Sequence, residues 1–327
     1  MRKIAEKAGG VMLAALVLLT FNCIASDSLG RPVRIVSLSF QAKPLERVAA
    51  LVDEEGAKGA DLIALPETFI GKPQPIDGPS VSTMMELARK HKTYIVCPIK
   101  RQDGDKLWNS SVLLDRQGKI AMVYDKVFPT IPELNLKVSP GGEVPVYQAD
   151  FGRVGLAICY DVNFPEIWQR LADHGAELVI WSSAYSAGSS LQAHAINHHY
   201  YIVTSTLSRD CIVYDITGER IFFESSPDIN ISRMVLDLDR GIYHQNFNIE
   251  KRDKLLAERK ADVVQERYMN LEQWFVLKAR RPGVRARDVA RGYGLEELRD
   301  FITRARGHID NARGSSFYLK TIGENKK

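Results

Sequence analysis

From Val33 onward, short apolar runs alternate with amphipathic stretches. Residues 33–40, 62–66 and 93–98 have the dense aliphatic content of buried strands. Residues 45–58 and 81–91 instead space their apolar positions three and four apart, as a helix with one buried face does. The alternation predicts an α/β protein. Past residue 245 the pattern changes. Residues 250–278 are charge-rich, with Leu255, Val263, Val264, Met269, Trp274 and Leu277 spaced for one or two helical faces, so the segment is expected to be helical. Pro282-Gly283 breaks it, and residues 284–302 read as two short helices about a Gly turn. The expected organisation is a main domain over 31–245 and a helical extension over 246–327.

Three of the predicted strands end in groups with chemistry. Residues 154–158 are apolar and lead straight into Cys159; Tyr160-Asp161-Val-Asn163 is turn-prone, and Pro165-Glu166 opens a helix over 167–174. A cysteine where a strand breaks into a helix has its sulfur pushed toward backbone N–H groups. That setting is expected to favour thiolate and to supply donors for an oxyanion. Ala60-Asp-Leu-Ile-Ala-Leu-Pro66-Glu67 is a second apolar run, stopped by a proline and followed at once by a carboxylate. A carboxyl in a partly desolvated strand tip can act as a general base. In Val123-Tyr-Asp125-Lys126-Val-Phe-Pro129 a lysine follows a strand over 120–124 and precedes a Pro-bounded loop.

The ordered set Pro66-Glu67, Asp125-Lys126-Val-Phe-Pro129, and Gly152-Arg-Val-Gly-Leu-Ala-Ile-Cys159-Tyr-Asp161 with Phe164-Pro-Glu166 resembles the carbon–nitrogen hydrolase (nitrilase) superfamily. Gln41, Gly59-Ala60-Asp61, Trp108-Asn109-Ser110-Ser111, Trp181-Ser-Ser-Ala184-Tyr185 and Asp215-Ile-Thr-Gly218-Glu219 carry the likeness over 33–239. The resemblance implies a four-layer αββα sandwich and a homodimer or higher homo-oligomer. It implies that Cys159 attacks an amide-type carbonyl, that Glu67 moves the protons, and that Lys126 and the Tyr160 backbone N–H hold the oxyanion. It also implies a covalent thioester, which splits a hard cleavage into two acyl transfers, with no metal or organic cofactor. A second glutamate that orients the lysine or the substrate is assigned to Glu133 in preference to Glu143, which sits in a Pro-Gly-Gly turn. Tyr160, Asn163, Trp181 and Tyr185 are the expected substrate-binding residues. Cys159-Tyr160-Asp161 replaces the Cys-Trp-Glu of nitrilases proper, so small amides or N-carbamoyl (ureido) compounds are expected over nitriles. An acyltransferase using the same thioester, and an exported pseudoenzyme or regulatory module, are the alternatives.

At 327 residues and 45% hydrophobic content the chain can bury a large core. Its net charge of +4 is too small to argue for nucleic acid. The helix pair about the Gly turn raises a DNA-binding reading, with Arg280, Arg281, Arg285, Arg287 and Arg291 as a basic face. Arg2, Lys3 and Lys7 precede an apolar stretch over 11–21 and small residues near Ala25-Ser26, which reads as a secretory signal over 1–26. Export to the periplasm or medium is expected, with membrane contact only if Cys23 is lipidated. Cys97 and Cys211 read as core thiols, not a disulfide framework. His194 and His198 share a helical face at a metal-like spacing, but no acid partner accompanies them.

Overall fold

A strand covered by helices on one face and by a second sheet on the other needs buried side chains on both, and residues 33–40 supply them. Val36, Leu38 and Phe40 join the core under the helices, while Val33, Ile35, Ser37 and Ser39 face the second sheet. The computed structural model describes residues 30–316. The expected secretory signal, with Cys23, lies outside the described residues.

The chain runs β1 (Pro32–Phe40), α1 (Leu45–Ala57), β2 (Leu62–Ala64), β3 (Pro73–Gln74), α2 (Pro79–His91), β4 (Tyr94–Asp103), β5 (Lys106–Leu114), β6 (Ile120–Asp125) and α3 (Ile131–Asn135). There follow β7 (Val146–Ala149), β8 (Gly152–Ile158), a 3₁₀ turn (Cys159–Asn163), α4 (Pro165–Asp173), β9 (Leu178–Ser183), α5 (Gly188–His198), β10 (Tyr201–Thr206), β11 (Asp210–Tyr214), β12 (Arg220–Ser225) and β13 (Ile229–Asp237). The first sheet is ordered β13-β1-β2-β4-β5-β6, with β3 beside β4; the second is ordered β12-β11-β10-β9-β8-β7. Helices α1 and α2 cover the first sheet, and α4 and α5 cover the second, giving the expected αββα layering. Gly155 in β8 admits α4: a Cβ there would stand 2.5 Å from Leu171 Cδ2.

Small hydroxyl residues stitch the two sheets together. Ser37 Oγ donates to the Thr204 carbonyl at 2.7 Å, Ser205 Oγ to the Leu38 carbonyl at 2.7 Å, and the Thr206 N–H to Ser39 Oγ at 2.9 Å. Buried backbone and hydroxyl groups are thereby satisfied, which removes most of the cost of placing them in a core.

The extension departs from expectation. It contains β14 (Gly241–His244), α6 (Ile249–Glu258), β15 (Val263–Met269), β16 (Trp274–Ala279), α7 (Ala286–Gly292) and α8 (Leu298–Arg313). Residues 250–278 are thus a short helix and a hairpin, and β16 lies between β14 and β15. The outer strand β15 is half-buried along most of its length, so it keeps the charged composition of a surface helix. The pair α7 and α8 about Gly294 (φ 73°) is as expected. Its arginines do not form one free basic face. Arg287 pairs with Glu177 at 2.6 Å and Glu297 at 2.7 Å, Arg281 with Asp262 at 2.5 Å, and Arg291 with Asp288 at 3.0 Å.

Candidate active site

Glu67 leaves the first sheet two residues beyond Leu65, after a proline that cannot extend the ladder, and Thr68 at φ 41° turns the chain. Ser182 Oγ donates to the Leu65 carbonyl at 2.8 Å, tying this tip to β9 of the second sheet. Lys126 follows β6, where its N–H donates to the Asn109 carbonyl and its carbonyl accepts from the Gly141 N–H, both at 2.8 Å. A Cβ on Gly141 would stand 2.1 Å from the Asp125 carbonyl oxygen, so glycine is what lets this loop close on the lysine strand. Cys159 begins the 3₁₀ turn after β8 with φ 43°, a left-handed conformation uncommon for a residue with a Cβ. Both Glu67 and Cys159 therefore sit at the carboxyl ends of parallel strands, where open α/β sheets place ligands.

Three of the expected polar groups meet, and Cys159 lies near enough to feel the charges of Glu67 and Lys126. Lys126 Nζ donates to Glu67 Oε1 at 3.0 Å and to Glu133 Oε2 at 2.9 Å. Asn109 Nδ2 donates to the same Glu67 Oε1 and to Glu133 Oε1, both at 2.8 Å. Glu133 is held by a capping box: its Oε2 accepts from the Thr130 N–H at 2.7 Å while Thr130 Oγ1 accepts from the Glu133 N–H at 3.3 Å. Cys159, Glu67 and Lys126 are 7%, 6% and 1% exposed.

Electrostatics set their protonation states. Burial alone would lower the Lys126 ammonium, but Glu67, Cys159 and Glu133 outweigh it and hold the lysine charged. Burial would raise Glu133, and Lys126 pulls it below the ordinary carboxylate range. Cys159 is pushed up to about 12, first by burial and then by the charge of Glu67; Lys126, the Ala184 N–H and the Ser183 hydroxyl offset only part of this. The expectation that the elbow favours thiolate is therefore corrected: burial, and then the Glu67 carboxylate, outweigh the ammonium, and the resting sulfur carries its proton.

Of the expected substrate-binding residues, Tyr160 and Tyr185 are 37% and 41% exposed at the surface of the site, and Asn163 bonds both the Tyr160 carbonyl and the Tyr185 hydroxyl. Trp181 is different. It is fully buried, and its Nε1 donates to the Cys159 carbonyl at 3.2 Å, so it braces the elbow. Glu143 is exposed and stays outside the cluster. His194 is spent on the Val162 carbonyl at 2.8 Å and stacks on Trp168 with ring centroids 4.4 Å apart. Asn109, Thr130 and Asp161 carry roles that sequence reasoning left unassigned. Thr130-x-x-Glu133 is a capping-box pattern, and an asparagine inside an apolar strand is itself a signal, since strands disfavour it.

The model of the family described as carbon-nitrogen hydrolase matches residues 36–226. The chain is 25% identical over 197 residues to omega-amidase NIT2 of Mus musculus, covering 53% of this chain and 71% of that one. It is 26% identical over 195 residues to omega-amidase NIT2 of Danio rerio, covering 52% and 70%. Among solved structures, Nit3 of Saccharomyces cerevisiae, a member of the nitrilase superfamily, aligns with TM-score 0.55 at 22% identity over 64% of this chain and 92% of that one. A doubly substituted amidase from Nesterenkonia sp. AN1 in complex with acrylamide aligns with TM-score 0.56 at 20% identity over 62% and 91%. The matched family segment spans all three strand tips, from the first strand through the Glu67, Lys126 and Cys159 segments to the β11–β12 hairpin, and the chain belongs to the carbon–nitrogen hydrolase family.

Proposed function

We propose that the chain hydrolyses the carbon–nitrogen bond of a small amide or N-carbamoyl compound through a thioester on Cys159. Glu67 takes the sulfur proton as the thiol attacks the carbonyl carbon, and the resulting oxyanion is held by Lys126 and the Tyr160 N–H. Collapse breaks the carbon–nitrogen bond, and Glu67 returns the proton to the departing ammonia or amine. Glu67 then deprotonates a water that cleaves the thioester, releasing the acid and restoring the thiol. Asn109 and Glu133 orient Glu67 and Lys126.

One observation carries this reading. A lysine ammonium has three N–H donors. Among the described residues Lys126 spends two on Glu67 and Glu133 and keeps one, beside a thiol that burial keeps protonated. Among the described residues Glu67 takes its hydrogen bonds through Oε1, which leaves Oε2 for the proton. The amidase names of the relatives, and the Cys159-Tyr160-Asp161 sequence, favour amides over nitriles. The test is ammonia release by the purified chain from primary amides, ω-amides, ureido acids and nitriles, with Cys159→Ala in parallel. Cysteine-dependent release from an amide or ureido compound is expected. A folded chain silent on the whole panel overturns the hydrolase reading, and product from an added amine acceptor would then mark an acyl transferase.

The basic, apolar and small-residue order of residues 1–26 supports export, and the resemblance supports a homodimer. Both readings are checked on material from the native host, by its amino-terminal sequence and its mass in solution.

A further inference from the structure

We propose that Asp161 is a positioning residue: its carboxylate locks the Cys159 elbow to the Lys126 strand and thereby sets the separation of nucleophile and oxyanion donor. The inference rests on the thioester reading above.

The elbow belongs to the second sheet and the lysine to the first, so no ladder hydrogen bond connects them. Asp161 does. Its Oδ2 accepts from the Ile158 N–H at 3.0 Å, immediately before the nucleophile, and from the Tyr124 hydroxyl at 2.7 Å. Its Oδ1 accepts from the Phe128 N–H at 3.1 Å. Tyr124 and Phe128 flank Lys126 symmetrically, two residues to either side. One carboxylate therefore grips the lysine segment at both ends and the elbow at its start. The Asp161 carbonyl accepts from Trp168 Nε1 at 3.0 Å, which fixes the turn against α4.

The chemistry of the side chain matters as much as its place. Asp161 is fully buried, and the groups hydrogen-bonded to its carboxylate are neutral. Burial pushes it up to about 6, against the pull of the Tyr124, Ile158 and Phe128 donors and of the nearby Lys126 charge. A buried charge held by neutral donors is costly, and an apolar packing residue would avoid that cost. What only an ionised carboxylate offers is acceptor capacity on both oxygens: Oδ1 serves the lysine segment, and Oδ2 is shared between the elbow and Tyr124. The left-handed Cys159 backbone (φ 43°) is held by the Ile158 bond across the same turn, so strain at the nucleophile and reach to the lysine share one group.

The test compares kcat, KM and Tm in wild type, Cys159→Ala, Asp161→Asn, Tyr124→Phe and Arg287→Met. Asparagine keeps the shape but turns one oxygen into an N–H₂ that must face a donor. Asp161→Asn is expected to lower kcat on the order of 10²-fold, the scale of a misplaced reacting group, with KM held within about threefold. Tyr124→Phe removes one donor and is expected to cost about 3- to 10-fold in kcat, and it decides the matter if Asp161→Asn does not fold. Arg287→Met, far along the chain in the extension, is expected to lower Tm without lowering kcat. The proposal is overturned if folded Asp161→Asn or Tyr124→Phe keeps kcat within about twofold, a change worth under half a kcal/mol. It is overturned equally if their losses follow Tm along the same line as Arg287→Met. Cys159→Ala keeps the two readings apart: if it retains wild-type turnover, the thioester reading fails whatever Asp161 does.

Discussion

Two of the clusters in which the chain buries charge, one at the strand tips and one under the extension, differ in what they leave over. At the strand tips, one ammonium serves two carboxylates, with an N–H unspent and a protonated thiol alongside. Where the extension meets the sandwich, Glu177 takes Arg31 and Arg287, Glu297 takes Arg287, and Arg299 donates to the Ala176 and Ala172 carbonyls at the end of α4. Burial would raise Glu177, and its two arginines hold it below the ordinary range. Asp239, pushed up to about 6 by burial, accepts from the Ala286 N–H and fastens α7. Apart from Arg31 Nε, which is buried without a partner, the donors there are spent on carboxylates and carbonyls, and the cluster acts as a clamp. Burial of charge alone does not separate chemistry from architecture; an ammonium N–H left over beside a thiol at a strand tip does.

Substitutions sharpen this contrast. Removing the nucleophile has the largest effect, and Cys159→Ala is expected to abolish ammonia release. Glu67→Gln is expected to lower kcat by about 10²–10⁴-fold, the usual share of general acid–base catalysis, in steady-state assays on the best amide. Glu133→Gln leaves the base in place but loosens Lys126, and a fall in kcat of about 10²-fold or less is expected. At the clamp the signs reverse. Arg287→Met is expected to cost about 3–5 kcal/mol in denaturant unfolding by leaving Glu297 and Glu177 short of a cation, while kcat stays unchanged. A clamp substitution that removed activity, or a site substitution that acted only through stability, would break the comparison.

The smallest effect is in the pH profile. With Cys159 raised to about 12, the native chain keeps a proton that the unfolded chain sheds from about 9, so native binds more protons across that window. Stability then falls, not rises, as pH climbs from 9 toward 12 on this group's account. Alkylation of Cys159 by iodoacetamide should show no inflection near about 8.5, where an ordinary thiol titrates. An inflection there would mean that the ammonium outweighs the carboxylate at the sulfur.

How much of this was legible differs between the same two regions. In the sandwich, strands such as 154–158 are apolar on both faces, so their ends are unambiguous and the groups that follow them are exposed as chemistry. Glu67, Lys126 and Cys159 stood out on that basis, and Glu133 through the family resemblance; the structure brings Glu67, Lys126 and Glu133 into one hydrogen-bonded cluster. What could not be read was direction. Trp181 was expected at the substrate within a segment that carries the family resemblance, and the structure shows it fully buried with its indole N–H on the Cys159 carbonyl. The thiol's protonation depended first on how deeply the elbow is buried and then on the charge of Glu67, neither of which spacing along the chain contains. In the extension, Val263, Trp274 and Leu277 fit helical spacing as well as they fit β15 and β16. The pairing of β16 with β14 chose the strand, a tertiary contact overriding local pattern.

The most direct test of the account is peptide mapping of acid-quenched enzyme during turnover of a slow amide. The account predicts a mass gain equal to the acyl group on the Cys159 peptide, absent from Cys159→Ala. Turnover with no adduct on Cys159, undiminished in Cys159→Ala, would contradict it.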